Sequence, residues 1–207
     1  IYILNCRCEG VEQCVTGYKS KNTYIKDLKV AGVRSINAGK NTIIDGVKGT
    51  VIANNTTFVW IDNKDITKLR VCGAVLKFIS GNTTNRAGFI SIDQSQSSMD
   101  NCPLNAVFKD CRFILDKGYG YRYNFITPVA SDITFENCNF SVESDSAQYI
   151  SPRPAATNLK FKDCRFYGIE NNLTATGVID NCQFKSIEMM GNHFDYIDNG
   201  IIKQLKY

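Results

Sequence analysis

Apolar and polar residues alternate along this chain in short bursts, and the bursts recur with the same break in phase. In Leu159-Lys160-Phe161-Lys162 every second residue is apolar, the period of a strand that buries one face. Asp163 interrupts the run, and Cys164-Arg165-Phe166 resumes the alternation shifted by one position. A straight strand carries Cys164 and Phe166 to the face opposite Phe161, so the chain must bend at Asp163 if both segments are to line one core. Asn and Asp are the non-glycine residues that best tolerate the left-handed backbone such a bend requires. The pattern predicts two short strands meeting at an Asn/Asp corner.

This unit repeats. Ala106-Val107-Phe108-Lys109-Asp110-Cys111-Arg112-Phe113 is echoed by Ile133-Thr134-Phe135-Glu136-Asn137-Cys138-Asn139-Phe140, by the segment around Asp163, and by Val178-Ile179-Asp180-Asn181-Cys182-Gln183-Phe184. Ile197-Asp198-Asn199-Gly200-Ile201 follows that last copy position for position, with Gly200 standing where Cys182 does. Aliphatic versions are Ile3-Leu4-Asn5-Cys6, Ile25-Lys26-Asp27-Leu28-Lys29-Val30, Ile66-Thr67-Lys68-Leu69-Arg70-Val71 and, more weakly, Ile43-Ile44-Asp45-Gly46. With the cysteine slot as marker, the copies fall at Cys6, Leu28, Gly46, Leu69, Cys111, Cys138, Cys164, Cys182 and Gly200. The interval from Leu69 to Cys111 is about twice the others and reads as two turns, with a degenerate copy near Phe89-Ile90-Ser91-Ile92. The corner slot holds Asn5, Asp27, Asp45, Asp110, Asn137, Asp163, Asn181 and Asn199.

A unit of this size cannot bury its own apolar face, but stacking on like neighbours about 4.8 Å apart does so and turns equivalent residues into ladders. The chain resembles the right-handed parallel β-helix of pectate lyases, polygalacturonases and bacteriophage tailspikes, in which an asparagine commonly occupies the corner between two strands. The resemblance implies an all-β solenoid of nine or ten coils, each of about 18 to 27 residues, a period typical of stacked repeats. It carries an Asn/Asp corner ladder and inward Cys, Leu and Phe stacks, and residues 1–207 form a single domain. A leucine-rich repeat has a similar period, but the chain lacks its L-x-x-L-x-L spacing and an amphipathic helix in each unit.

Composition narrows the picture. Of 207 residues 43% are hydrophobic, enough for one core, and no apolar run reaches the length of a bilayer span, so no membrane insertion is expected. The net charge of +4 is spread without a basic run, which argues against a nucleic-acid partner. The chain opens in mid-strand at Ile1-Tyr2-Ile3 with no initiator Met or signal, and reads as a fragment of a longer chain.

Five of the nine cysteines, Cys6, Cys111, Cys138, Cys164 and Cys182, share the slot after the corner, which points them inward. Stacked equivalents hold their Cβ atoms about 4.8 Å apart, beyond the roughly 3.5–4.5 Å of a disulfide, so free buried thiols are expected. No CxxC pair supplies a zinc site, and no metal or cofactor is expected. His193, the only histidine, lies in Gly191-Asn192-His193-Phe194 with no flanking nucleophile signature.

Departures from a repeat mark what has been added to it. Two adjacent long intervals carry inserts, about 114–131 and 143–157, which stacking brings side by side. They supply Tyr119, Tyr121, Arg122, Tyr123, Tyr149 and Arg153 as candidate glycan-binding residues. Aromatic faces suit the C–H surface of a sugar ring, and arginine's fork suits the carboxylate of an acidic glycan. The alternative is that these tyrosines pack on the outside of the stack or into a neighbouring subunit. Asp116, Asp132, Glu143 and Asp145 lie nearby, but no spacing singles out a glycosidase pair, and no motif matches a calcium-binding lyase site. No catalytic residue is nominated.

The resemblance implies a tailspike- or tail-fibre-type domain on a virion tail or similar extracellular appendage, homotrimeric in its parent, that recognises cell-surface polysaccharide. Two alternatives stay open: a polysaccharide hydrolase or lyase of the same fold, and a structural spacer.

Overall fold

A computed structural model of the chain describes residues 1–11, 13–16, 20–33, 35–38, 40–53, 57–61, 68–80, 88–92, 102–115, 123–126, 130–142, 148–152, 157–172, 177–188, 194–198, 201–202 and 205–206. The described residues are all-β, with stacked parallel strands and no helix. One sheet has nine strands in the order β1 (Tyr2–Leu4), β4 (Asn22–Lys26), β7 (Asn41–Asp45), β10 (Lys68–Cys72), β13 (Cys102–Lys109), β16 (Ala130–Glu136), β19 (Thr157–Lys162), β21 (Gly177–Asp180) and β23 (Phe194–Asp198). From β1 to β21, each is followed across one corner by a strand of a second series: β2 (Arg7–Glu9), β5 (Lys29–Val33), β8 (Lys48–Ala53), β11 (Val75–Ser80), β14 (Arg112–Leu115), β17 (Asn139–Val142), β20 (Arg165–Asn172) and β22 (Gln183–Glu188).

A third series comprises β3 (Gln13–Thr16), β6 (Ser35–Ala38), β9 (Thr57–Ile61), β12 (Gly88–Ile92), β15 (Tyr123–Ile126) and β18 (Gln148–Pro152). The second and third series meet at β20, whose Arg165 and Phe166 pair with Asn139 and Phe140 of β17 while its Ile169 and Glu170 pair with Gln148 and Tyr149 of β18. Where the repeat shortens, between Cys164 and Cys182, one continuous strand thus covers what earlier rungs divide between two.

The corner has one geometry throughout. Asn5, Asp27, Asp110, Asn137, Asp163 and Asn181 all have φ between 47° and 54°, the left-handed region open to Asn and Asp. The corner N–H donates to the last strand carbonyl of the next rung, as in Asp27 to Asp45 at 2.8 Å and Asn137 to Lys162 at 2.9 Å. Asn199 lies outside the described residues.

Register changes three sequence assignments. Asp45 ends β7, and the corner there is Gly46, with φ 76° and its N–H on the Cys72 carbonyl at 2.9 Å. The next corner is Gly73, φ 61°, so the cysteine slots of these rungs hold Val47 and Ala74 rather than Gly46 and Leu69. Finally, β10 pairs directly with β13, so the long interval is one rung. Phe89-Ile90-Ser91-Ile92 belongs to β12 of that same rung, between β9 and β15. Glycine fills a left-handed corner as well as Asn does, and a pattern built on Asn and Asp passes over it.

The core includes three inward ladders. Ile25, Ile44, Val71, Phe108, Phe135 and Phe161 come from the first sheet; Leu28, Val47, Ala74, Cys111, Cys138, Cys164 and Cys182 follow the corner; Val30, Leu76, Phe113 and Phe140 come from the second series. All are buried. The rings of Phe108, Phe135 and Phe161 stack at 4.9 and 5.1 Å, and Phe140 meets Phe135 edge-on at 5.6 Å. Each such ring contributes about 1.5–3 kcal/mol by leaving water.

Candidate functional site

The thiol ladder is interior structure. Each sulfur faces two carbonyl oxygens, one two residues back and one from the preceding rung: Cys111 lies 3.2 Å from Lys109 O and 3.6 Å from Val71 O, and Cys164 lies 3.3 Å from Lys162 O and 3.5 Å from Phe135 O. Cys138 and Cys182 repeat this, at 3.4 and 3.5 Å and at 3.2 and 3.4 Å. Two acceptors suit a neutral S–H and oppose a thiolate. The Cys111 thiol is pushed above the ordinary value by hydrogen bonding to Cys138 and then by burial, and the Cys164 thiol by hydrogen bonding to Cys138 and Cys182 and then by burial. Cys6 keeps the slot's geometry, with its sulfur 3.3 Å from Leu4 O, yet is exposed, contrary to its expected burial. It sits in the first rung, which has a neighbouring rung on one side only among the described residues. None of the described residues forms a group of three or more His, Cys, Asp and Glu placed to hold a metal ion.

The corner carboxylates are likewise engaged. Asn137 donates its amide to Asp110 at 2.6 Å, and Asn181 donates to Asp163 at 2.6 Å. Alternating Asp with Asn at these corners keeps like charges out of adjacent rungs.

Of the residues expected to bind glycan, Tyr119, Tyr121, Arg122 and Arg153 lie outside the described residues, as do Asp116, Glu143, Asp145 and His193. Tyr123 and Tyr149 belong to strands rather than loops, opening β15 and lying within β18. These two strands pair in parallel, with Tyr123 opposite Ile150. Asp132 is half-buried in β16 at φ 56°.

The described surface offers a different site, on the outward face of β1, β4, β7 and β10. Tyr2, Tyr24 and Ile43 stand opposite one another in register and point away from the inward Ile25 and Ile44. With Asn22, Asn41 and Lys68 they line a surface depression of about 500 Å³. The rings of Tyr2 and Tyr24 meet edge to face at 6.1 Å. The Tyr24 hydroxyl donates to Asp45 Oδ2 at 3.5 Å, and the Asn41 amide donates to Asn22 Oδ1 at 3.0 Å. Tyr2 is 79% exposed, so its ring face is available. Flat aromatic faces beside amide groups and a cation can hold a sugar ring by its C–H surface and its hydroxyls.

Sequence reasoning passed over this site because it looked for function in insertions. The signal was present in the repeat: Tyr2-Ile3 and Tyr24-Ile25 put an aromatic residue on the outward position of consecutive copies. Comparison with protein-family models, curated proteins and solved structures finds no match to this chain.

Proposed function

We propose that the chain is a right-handed parallel β-helix that recognises cell-surface polysaccharide without cleaving it, as part of a bacteriophage tailspike, tail fibre or similar homotrimeric appendage. The fold half of this reading is supported by parallel rungs stacked in register with a left-handed corner in each. The functional half rests on the Tyr2–Tyr24 platform beside the Asn22–Asn41 pair, exposed on an otherwise regular sheet. Such a surface binds rings and supplies no paired carboxylates for hydrolysis. The tail placement and trimeric assembly follow from the resemblance to tailspikes.

The test is retention of the chain on a panel of bacterial capsular and O-antigen polysaccharides, with glycan length followed in the same samples. Tyr24→Ala is expected to weaken retention about tenfold, equivalent to about 1.4 kcal/mol, and glycan length to stay constant. Shortened glycan would replace recognition with depolymerisation, and unchanged retention by the variant would remove the platform from the site.

A further inference from the structure

The cysteines of this chain are not equivalent. Cys111, Cys138, Cys164 and Cys182 are buried in the stack, whereas Cys8 and Cys14 are only half-buried, in the first rung. Cys8 is the middle residue of β2 and stands opposite Val30, a core residue, so its thiol faces inward. Gly10, at φ 59° with its N–H on the Ala31 carbonyl at 2.9 Å, turns the chain after β2. Beyond that turn β3 brings Cys14 back to Cys8, and the two thiols are hydrogen-bonded. In the rungs that follow, the position of Cys8 is taken by Val30, Gly49, Leu76, Phe113 and Phe140. Filling the core therefore does not call for a thiol there.

Two features separate this pair from the thiol ladder. Ladder cysteines stand on neighbouring rungs, where strand spacing holds them too far apart for a disulfide. Cys8 and Cys14 share one rung, and strand spacing does not set their separation. Cys14 is also the extra residue of a β-bulge: Gln13 pairs with Ser35 and Val15 with Ile36, which leaves Cys14 without a register partner in that pairing. A bulged residue lies outside the ladder. Its backbone can therefore shift to bring the sulfurs to the roughly 2.05 Å of an S–S bond while the register of β3 on β6 is kept. The exposed Cys72 is placed differently, at the end of β10 with Asp45 and Lys109 opposite it on the two neighbouring strands.

We propose that Cys8 and Cys14 form a thiol–disulfide exchange site that takes a small-molecule disulfide as its substrate and ties β2 to β3 by an S–S bond. The inference is independent of the glycan-recognition reading. Burial, and after it the hydrogen bond to Cys8, push the Cys14 thiol above its ordinary value, so Cys14 keeps its proton while Cys8 attacks. The Cys8 thiolate displaces one thiolate from the substrate and is left as a mixed disulfide. Cys14 gives its proton to that departing thiolate and attacks Cys8 Sγ, releasing the second thiolate, which takes up the proton that Cys8 lost to solvent. The protein gives up two protons and two electrons, and the substrate disulfide is reduced to two thiols. Compartment decides which form prevails: cytosolic thiols keep the pair reduced, and an oxidising exterior closes it.

The experiment equilibrates the reduced 207-residue chain with oxidised and reduced glutathione in fixed ratios, blocks remaining thiols by alkylation in denaturant, and weighs the fragments cut after Lys and Arg. Residues 8–19 form one fragment holding both Cys8 and Cys14, and Cys6 falls on the separate fragment 1–7. Expected is a fragment 8–19 that escapes alkylation and is lighter by two hydrogens. The exchange constant should be at least about tenfold larger in the folded chain than in urea, and the oxidised chain should accordingly show the higher urea midpoint. Cys14→Ser should trap glutathione on Cys8, and Cys6→Ser should leave the bond intact. Alkylation of both thiols at every ratio, a crosslink joining fragments 1–7 and 8–19, or equal exchange constants with and without urea would each overturn the proposal. So would a Cys14→Ser chain that holds no more glutathione than the parent.

Discussion

In the third rung the inward side chains are Thr42, Ile44, Val47 and Val51, with Gly49 among them; in the sixth they are Ile133, Phe135, Cys138 and Phe140. Register makes these positions equivalent: Gly49 faces Leu76, which faces Phe113, which faces Phe140. One backbone unit therefore holds a ring at a position where, three rungs earlier, no side chain fits at all. A Cβ on Gly49 would stand 1.7 Å from the Val30 carbonyl oxygen, at φ 137°. The cause lies one rung away, where β5 bulges between Val30 and Val33 and Gly32 donates to Thr50 Oγ1 at 3.0 Å. The early rungs are closed by backbone approaching backbone, and the middle rungs by stacked rings with a small thiol between them. Corner and register are common property of the stack, whereas volume is settled rung by rung.

The widest break in this comparison is Phe135→Ala. Its ring touches Phe108, Phe140 and Phe161 and is fully buried, so removal leaves a cavity in three rungs at once. A loss of about 3–5 kcal/mol in urea unfolding is expected; a loss below about 1 kcal/mol would mean that the ring stack does not carry the middle rungs. Next in size is Gly49→Ala, at about 2–3 kcal/mol, from a forced backbone shift together with an unfavourable φ. Gly73 sharpens the contrast, because it has φ 61° with nothing within 4 Å of a Cβ and stands in a slot that other rungs fill with Asn or Asp. Gly73→Asn should stay within about 0.5 kcal/mol. If both glycine substitutions cost the same, close approach is not what distinguishes the third rung.

Much of this architecture is legible in the sequence. The phase shift at Asp163, repeated at Asp110, Asn137 and Asn181, identifies the corner because so few residues tolerate φ near 50°. The two corners that were misplaced are glycines, whose presence in a turn has several meanings, and the alternation at Ile66-Thr67-Lys68-Leu69 imitated a copy that register does not support. The site was less legible. Weight placed on insert tyrosines drew attention from Tyr2 and Tyr24, which look like ordinary outward residues until neighbouring strands bring them to 6.1 Å. Arg7, Lys29 and Lys48 likewise become neighbours only when register is known.

A dependence on pH separates the two regions by chemistry rather than volume. In the slot after the corner the second, third and fourth rungs carry Leu28, Val47 and Ala74, which do not titrate, and the middle rungs carry thiols. Cys111 and Cys164 are held protonated in the folded chain by hydrogen bonding to neighbouring thiols and by burial, whereas an unfolded thiol ionises near 9.0. A folded value raised above the unfolded one contributes stability that is fully present below about pH 9 and is lost as pH rises, because the unfolded chain then binds fewer protons than the folded one. Each such thiol should remove about 1.4 kcal/mol of stability per pH unit above that point, and the pair about 2.7. Comparison of the parent with the double variant Cys111→Ala, Cys164→Ala, by urea unfolding under reducing conditions between pH 7 and pH 11, isolates this contribution from the lysines and tyrosines common to both. The variant is expected to be weaker at pH 7, by about 1 kcal/mol per site, and to show the flatter alkaline limb. Parallel limbs would mean that Cys111 and Cys164 ionise as readily as free thiols, and burial beside neighbouring thiols would then not keep them neutral.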